Sequence, residues 1–156
     1  MAKQIQVDLE ACREVADTCP RNLLQRVAHE TGRRFQTGFD EHGISGQQFS
    51  LMVAISLHPE PTVVRLAELR RLDQTTMSRN IQVMVELGLV RTEPSKADGR
   101  VRVIRLTAKA CRTLNAALGS WQEARDEFVE RMGQERSQRL MSLLREISDL
   151  LDGDSR

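Results

Sequence analysis

The chain has 156 residues, with 23 basic and 22 acidic side chains and a formal net charge of +1 at pH 7. This length predicts a single domain spanning residues 1–156 and is short for an enzyme with separate cofactor and substrate lobes. Only 3% of the residues are aromatic, and helix-forming residues such as leucine, alanine and arginine are abundant, which predicts a mainly α fold.

Nothing in the sequence predicts export or membrane anchoring. The apolar runs are only a few residues long, and the first residues lack the apolar core of a signal peptide. The cysteines, Cys12, Cys19 and Cys111, are odd in number and widely spaced, which is typical of reduced intracellular proteins. We therefore expect a cytoplasmic protein that meets no membrane.

Two helices are predicted in the first third of the chain. Pro20 can occupy the first turn of a helix, and apolar residues then recur at helical spacing for several turns. Ser45 and Gln48 have the spacing of a capping box, so a second helix is expected from there to about Leu57.

The next segment predicts a helix-turn-helix. A short helix after Thr62 ends near Leu72, and Asp73 can cap a following helix whose left-handed end falls at Gly88. Two helices joined by so short a turn are typical of a DNA-binding motif.

A hairpin and two more helices complete the predicted order. Two β-prone runs on either side of Gly99 predict the hairpin. Helical spacing returns after Thr107, which predicts a long helix to Gly133 and a last helix that ends near Leu151.

Basic residues concentrate in the predicted helix-turn-helix and hairpin. Residues 62–107 contain nine basic and five acidic side chains, whereas the rest of the chain contains 14 basic and 17 acidic ones. Because the net charge of the whole chain is nearly zero, this local excess predicts a patch that faces phosphates.

The helix after Asp73 carries a polar face opposite Met77, Ile81 and Met84. Side chains of this kind pair with base edges, glutamine with adenine and arginine with guanine, although the same face could simply be solvated. The basic hairpin favours DNA, and there the Asp98 carboxylate can orient Arg100 for a minor groove. The DNA-binding candidates are Arg65, Gln74, Thr75, Thr76, Ser78, Arg79, Gln82, Lys96, Asp98, Arg100 and Arg102.

No catalytic residue, metal site or cofactor is predicted. The histidines, His29, His42 and His58, do not cluster with cysteines or acids at metal-ligand spacing. The sequence also lacks a glycine-rich phosphate loop and a nucleophile elbow, so we expect the protein not to be an enzyme.

Two alternatives to simple DNA binding remain open. Cys19 directly precedes Pro20, and thiols at helix N-termini react readily with oxidants, so a thiol redox sensor is one hypothesis, although an inert small residue is the simpler interpretation. A winged-helix adaptor that binds protein instead of DNA is the other.

The chain resembles the MarR family of bacterial transcriptional regulators from Cys19 to Leu151. The most specific match is Asp98-Gly99-Arg100 followed by Leu106-Thr107, which reproduces the family's Asp-x-Arg and Leu-Thr pattern. Further matches are Leu66–Leu69, Thr76–Ile81, Leu87–Val90, Ile44–Phe49 and Trp121.

The resemblance implies a winged helix-turn-helix over residues 62–107, with a two-stranded β-hairpin as the wing. It also implies N- and C-terminal dimerisation helices over about 20–57 and 108–151. The expected protein is a homodimeric repressor on a palindromic double-stranded DNA operator, with half-sites about 34 Å apart, and a small-molecule effector of unknown identity releases it. The chain departs from the family in lacking tyrosine, which argues against the hydroperoxide-sensing branch. It also carries Arg71 where the turn usually has a small residue, which implies an added phosphate contact or a reshaped turn.

Overall fold

Helices dominate the part of the chain that the structure, a computed structural model, describes, which is residues 7–153. In chain order the elements are α1 (Leu9–Thr18), α2 (Pro20–Asp40), α3 (Gly46–Leu57), α4 (Val63–Arg70), α5 (Gln74–Glu86), β1 (Val90–Pro94), β2 (Arg102–Leu106), α6 (Ala108–Met132) and α7 (Gln134–Gly153). The expected mainly α fold, with one hairpin between the helix-turn-helix and the terminal helices, is confirmed.

The chain divides into two compact units, Met1–Arg34 and Phe35–Arg156. The first unit contains α1 and the first part of α2. Helix α1 was not predicted from the sequence. Its N-cap is Asp8, whose carboxylate accepts from the backbone amides of Glu10 and Ala11, each at 3.0 Å. Whether residues 1–156 behave as one domain stays a prediction.

Short polar residues fix the starts of the helices in the second unit. Ser45 and Gln48 form the predicted capping box, in which the Ser45 hydroxyl accepts from the Gln48 amide at 3.2 Å and the Gln48 side chain accepts from the Ser45 amide at 2.8 Å. Thr62 and Thr107 cap α4 and α6 in the same way, each accepting from the amide three residues further on. These local bonds supply partners for amides that the helices themselves cannot satisfy.

The core of the second unit lies among α3, α4, α5, the hairpin and the first half of α6. The rings of Phe39 and Phe49 stack at 4.4 Å between centroids and join the end of α2 to α3. The most deeply buried side chains of this core include Met52, Leu66, Met77, Met84, Val103 and Ile104. Because α5 and the hairpin share this core, the fold fixes their positions relative to one another.

The two strands form an antiparallel hairpin in which Val90 pairs with Leu106 and Pro94 with Arg102. The Ile104 amide also donates to the Pro61 carbonyl at 2.8 Å. The segment before α4 therefore adds a backbone hydrogen bond at the edge of β2 and ties the hairpin to the helix-turn-helix.

The last helix presents an apolar face that a single chain leaves exposed. The α7 apolar face consists of Leu143, Leu144, Ile147, Leu150 and Leu151, whose exposed fractions range from 39% to 72%. Leu118 and Trp121 of α6 are also more than one third exposed. Residues spaced by three, four and seven positions lie on one side of a helix, so these form a continuous stripe along α7.

Candidate nucleic-acid interface

The turn between α4 and α5 is formed by residues 71–73. Arg71 adopts the left-handed conformation, with φ 51° and ψ 44°, and its amide donates to the Glu68 carbonyl at 3.1 Å. The Leu72 amide donates to the Ala67 carbonyl at 3.0 Å, which closes the end of α4. The chain therefore keeps the left-handed turn that a glycine would adopt without strain, but builds it with arginine.

Asp73 starts α5. Its carboxylate accepts from the Thr76 amide at 2.8 Å and from the Thr76 hydroxyl at 2.6 Å. These bonds, the hydroxyl contact first, lower the pKa of Asp73 below its usual range, although partial desolvation opposes them. Thr76 was predicted to bind DNA, but it is half-buried and its hydroxyl proton is given to Asp73, so any contact of that hydroxyl with DNA would be as an acceptor.

The polar face of α5 points into solvent as predicted. Met77, Ile81 and Met84 are at most 4% exposed, whereas the residues opposite them are all exposed. The α5 polar face consists of Gln74, Thr75, Ser78, Arg79 and Gln82.

Two members of the α5 polar face already make bonds within the helix. The Ser78 hydroxyl donates to the Gln74 carbonyl at 2.7 Å, and the Gln82 amide nitrogen donates to Glu86 at 3.0 Å. Both bonds lie at the surface, so water or a base edge can replace them at small cost. The face thus offers an arginine donor together with amide and hydroxyl groups that both donate and accept.

The loop at the tip of the hairpin is ordered by a clamp that the sequence analysis missed. The Glu60 carboxylate accepts from the Ser95 hydroxyl at 2.9 Å and from the Lys96 amide at 3.3 Å. Ser95 is only 6% exposed, and its oxygen accepts in turn from the amides of Ala97 and Asp98, at 3.1 and 3.4 Å. We call Glu60 and Ser95 the wing clamp.

Asp98 acts on the backbone of the loop. Its carboxylate accepts from the Arg100 backbone amide at 2.9 Å, and its carbonyl accepts from the Val101 amide at 2.9 Å. We expected the carboxylate to orient the arginine, and the contact runs to the amide of Arg100 instead of to its guanidinium. Asp98 therefore fixes where Arg100 leaves the loop, while the exposed side chain extends into solvent.

The predicted DNA-binding cations outside α5 fall into two groups. In the first, acids or carbonyls hold the guanidinium: Arg65 pairs with Glu68 at 3.1 Å, and Arg102 donates to the Thr92 carbonyl at 3.0 Å. Lys96 and Arg100 form the second group, exposed at the tip of the loop. Because exposed ion pairs are weak, Arg65 can exchange its partner for a phosphate.

Arg91 and Arg105 have structural partners at the base of the hairpin. Both contact Glu93, at 3.4 and 3.1 Å, and Arg105 also donates to the Pro59 carbonyl. The Arg105 hydrogen bond, followed by the charge of Arg91, lowers the pKa of Glu93 despite some desolvation. This cluster ties β1 and β2 to the loop before α4, so these two arginines serve the fold.

Cys19 lies where α1 ends and α2 begins. Its amide donates to the Val15 carbonyl at 3.1 Å, and its carbonyl accepts from the Leu23 amide at 3.2 Å. The thiol is free and half-buried. The predicted position at the start of a helix is confirmed, and a redox role for it stays a prediction.

Two features of other protein classes are absent from the described residues. Between residues 7 and 153, none of the helices combines the length and the apolarity that crossing a membrane requires. Within the same range, histidines, cysteines and acids do not gather in groups of three or more that could hold a metal ion.

The order of two short helices, a tight turn and a hairpin packed on one core defines a winged helix-turn-helix, in which α5 is the recognition helix and the hairpin is the wing. The sequence model that describes the MarR family matches residues 42–101 of this chain. The transcriptional regulator HosA of Escherichia coli O127:H6 is 32% identical over 130 residues, which cover 80% of this chain and 96% of that protein. The chain therefore belongs to the MarR family, as its motifs predicted.

Solved structures show the same fold. The M. tuberculosis transcriptional regulator MosR, crystallised in complex with DNA, is 30% identical and has a TM-score of 0.70, with 85% of this chain and 98% of that chain covered. PcaV from Streptomyces coelicolor, a transcriptional regulator crystallised with its natural ligand, is 20% identical and has a TM-score of 0.74. The match covers 94% of this chain and 98% of PcaV. These relatives are transcription regulators and not enzymes, which confirms the expectation of a non-enzymatic protein.

Proposed function

We propose that this protein binds double-stranded DNA as a homodimer and represses transcription from a palindromic operator until a small-molecule effector releases it. The observation that carries the proposal is that one rigid core holds both the solvent-facing α5 polar face and an ordered, cationic wing tip. A surface that merely needs solvation does not require a buried clamp behind its loop.

In the proposed complex α5 lies in the major groove. Arg79 is suited to guanine and Gln74 and Gln82 to adenine, while Thr75 and Ser78 can bond to phosphates or base edges. Thr76 contributes through the cap that orients the first turn. The positive end of the helix dipole also falls at this turn and favours a nearby phosphate.

The wing then reaches the flanking minor groove. Arg100 is its main recognition group and is exposed at the tip, Lys96 adds a second charge, and Asp98 holds the loop between them. Arg65 lies on α4 and Arg102 at the start of β2, and both can bind phosphates after releasing their present partners. An arginine placed in a narrow minor groove gains from the enhanced negative potential there.

The α7 apolar face supports the proposed homodimer. Burying one large apolar side chain contributes about 1.5–3 kcal/mol, and five such residues are left at least 39% exposed by the single chain. A second copy offers the same face and can cover it symmetrically. Two recognition helices related by a two-fold axis would meet half-sites about 34 Å apart.

Repression and effector release rest on family membership and on two solved relatives. MosR was crystallised with DNA and PcaV with its natural ligand, so both kinds of complex occur on this fold. An effector acts if it binds one arrangement of the two recognition helices better than the other. Such a regulator works in the cytoplasm, where its operator is.

The proposal is tested by binding to the DNA upstream of the protein's own coding region across a salt series. We expect tight binding that weakens steeply with salt, and we expect Arg100→Ala to weaken it and to reduce the salt slope by about one. Arg125→Ala removes an exposed arginine from α6, outside the basic segment, and is expected to bind like the wild type.

Binding that is weak and equal on random DNA for all three proteins would contradict the proposal at this site. Selection of duplexes from random-sequence DNA would then separate a distant operator from a protein that binds no DNA. A chain that selects no sequence would be a winged-helix adaptor, and the proposed function would be wrong.

A further inference from the structure

The turn of the helix-turn-helix is bonded to α7. The Arg71 guanidinium donates from Nη2 to the Ser148 hydroxyl at 3.1 Å, and from Nη1 and Nη2 to the Ser148 carbonyl at 3.4 and 3.5 Å. Arg71 and Ser148 are 77 positions apart in the sequence. The contact therefore joins the start of the recognition helix to the helix that carries the α7 apolar face.

This arginine occupies an unfavourable backbone position. Among the residues that the structure describes, Arg71 alone has a positive φ without being a glycine. The left-handed conformation crowds the Cβ of any residue other than glycine, so glycine would form the same turn at lower cost. The arginine side chain supplies contacts that a glycine would lack, and those with Ser148 lie on α7.

We propose that Arg71 is a positioning residue, which holds the α4–α5 turn against Ser148 so that the dimer contacts of α7 set the separation of the two recognition helices. This inference rests on the proposed function. Ser148 directly follows Ile147 of the α7 apolar face, so a dimer packed on that face would hold Ser148 close to the interface. The bond then fixes the position of each recognition helix relative to the two-fold axis of the dimer.

A direct phosphate contact is the competing role for Arg71, and the geometry favours the tether. Both terminal nitrogens of the guanidinium face acceptors of the protein. The two roles also differ in what they predict. A phosphate contact strengthens binding to any duplex, whereas a tether strengthens binding only to operators with the correct half-site spacing.

The test uses the full chain and a duplex that the wild type selects from random-sequence DNA. Versions of that duplex with one central base pair added or removed report the preference for spacing. We expect Arg71→Gly to bind the selected duplex about tenfold more weakly, with an unchanged salt slope, and to lose part of its discrimination against the altered spacings. Glycine adopts the left-handed turn freely, so the variant is expected to fold, which thermal unfolding checks.

Ser148→Ala supplies the matched variant, because it removes the hydroxyl acceptor and keeps the carbonyl. We expect it to weaken binding by about threefold in the wild type and to have no further effect in Arg71→Gly, as partners in one contact are not additive. Additive effects, unchanged affinity in Arg71→Gly, or a salt slope lower by about one would each overturn the tether. A wild type that selects no sequence would instead overturn the proposed function itself.

Discussion

Two helices, α5 and α7, are both amphipathic, but they use their faces in opposite ways. Met77, Ile81 and Met84 form the core-facing side of α5 and are at most 4% exposed, and its polar side remains in solvent. The residues of the α7 apolar face are at least 39% exposed. The fold therefore buries the apolar side of α5 and leaves that of α7 exposed.

This difference indicates what each helix offers to a partner. A helix whose apolar side is buried in the core has only its polar groups available for recognition, and such groups suit DNA. A helix whose apolar side is exposed gains free energy when a partner buries that side, which suits a second copy of the chain. The predictions below separate these two uses.

The largest effect is expected from Ile147→Glu on the α7 apolar face. A charge at this position opposes burial against a second copy, so the protein should sediment as a monomer at concentrations where the wild type is a dimer. DNA affinity should fall by about a hundredfold or more, because a monomer engages a single half-site.

Gln138→Glu is the control, since it adds the same charge at an exposed polar position of α7. It should leave the dimer intact. An Ile147→Glu protein that still sediments as a dimer would show that the α7 apolar face is not the interface.

Substitutions on the buried side of α5 should change the stability of the chain and leave its assembly unchanged. Met84 is 1% exposed, and Met84→Ala should lower the free energy of unfolding by about 2–5 kcal/mol, because it leaves a cavity in the core. Chemical denaturation measures the change. Its neighbour Val83 is 47% exposed, and Val83→Ala should change stability by no more than about 0.5 kcal/mol. Equal losses in the two variants would remove the contrast between the faces of α5.

The polar face of α5 should act on sequence preference. Arg79→Ala should weaken binding to a selected duplex by about tenfold and relax the preference at one base pair of each half-site, with the unfolding temperature unchanged. Arg79→Lys keeps the charge but loses the two-pronged donor, so it should also relax the preference. If Arg79→Lys binds like the wild type, the residue contacts phosphate and not a base.

The smallest effect concerns the pH dependence of the α5 cap. The hydrogen bonds from Thr76 lower the pKa of Asp73, so the stabilisation from this carboxylate is complete above its unfolded value and is lost as pH falls through the lowered folded value. Asp73→Asn keeps an oxygen that can cap the helix but does not titrate. Thermal unfolding from neutral pH down to about pH 3 should therefore show an advantage of the wild type that shrinks with acidity. A difference in unfolding temperature between the two proteins that stays constant with pH would show that the Asp73 carboxylate does not supply this stabilisation.

Local rules predicted most of the fold. The caps at Ser45 and Asp73 each accept from an amide three positions further on, and both lie where the sequence predicted them. Helix α6 likewise begins directly after Thr107, as the return of helical spacing predicted. The spacing of Met77, Ile81 and Met84 likewise gave the buried side of α5. The cap of α1 at Asp8 was equally local, but no residue of that helix is buried, so the pattern of a core helix was missing.

The missed parts of the site depend on distant contacts. Glu60 stands between two prolines, and only the folded chain brings it to Ser95, 35 positions away. The partner of Arg71 lies 77 positions away on α7. Asp98 was expected at the wing, but whether its carboxylate takes a guanidinium or an amide is decided by loop geometry, which spacing alone does not encode.

The wing clamp has a consequence for the rate of binding. The amides of residues 96, 97, 98 and 100 all have side-chain acceptors before any DNA is present. Such a loop loses little conformational entropy when it enters a groove, and association need not wait for it to order. The encounter should then be governed by the attraction between the cationic tip and the phosphates, so the association rate should fall as salt rises.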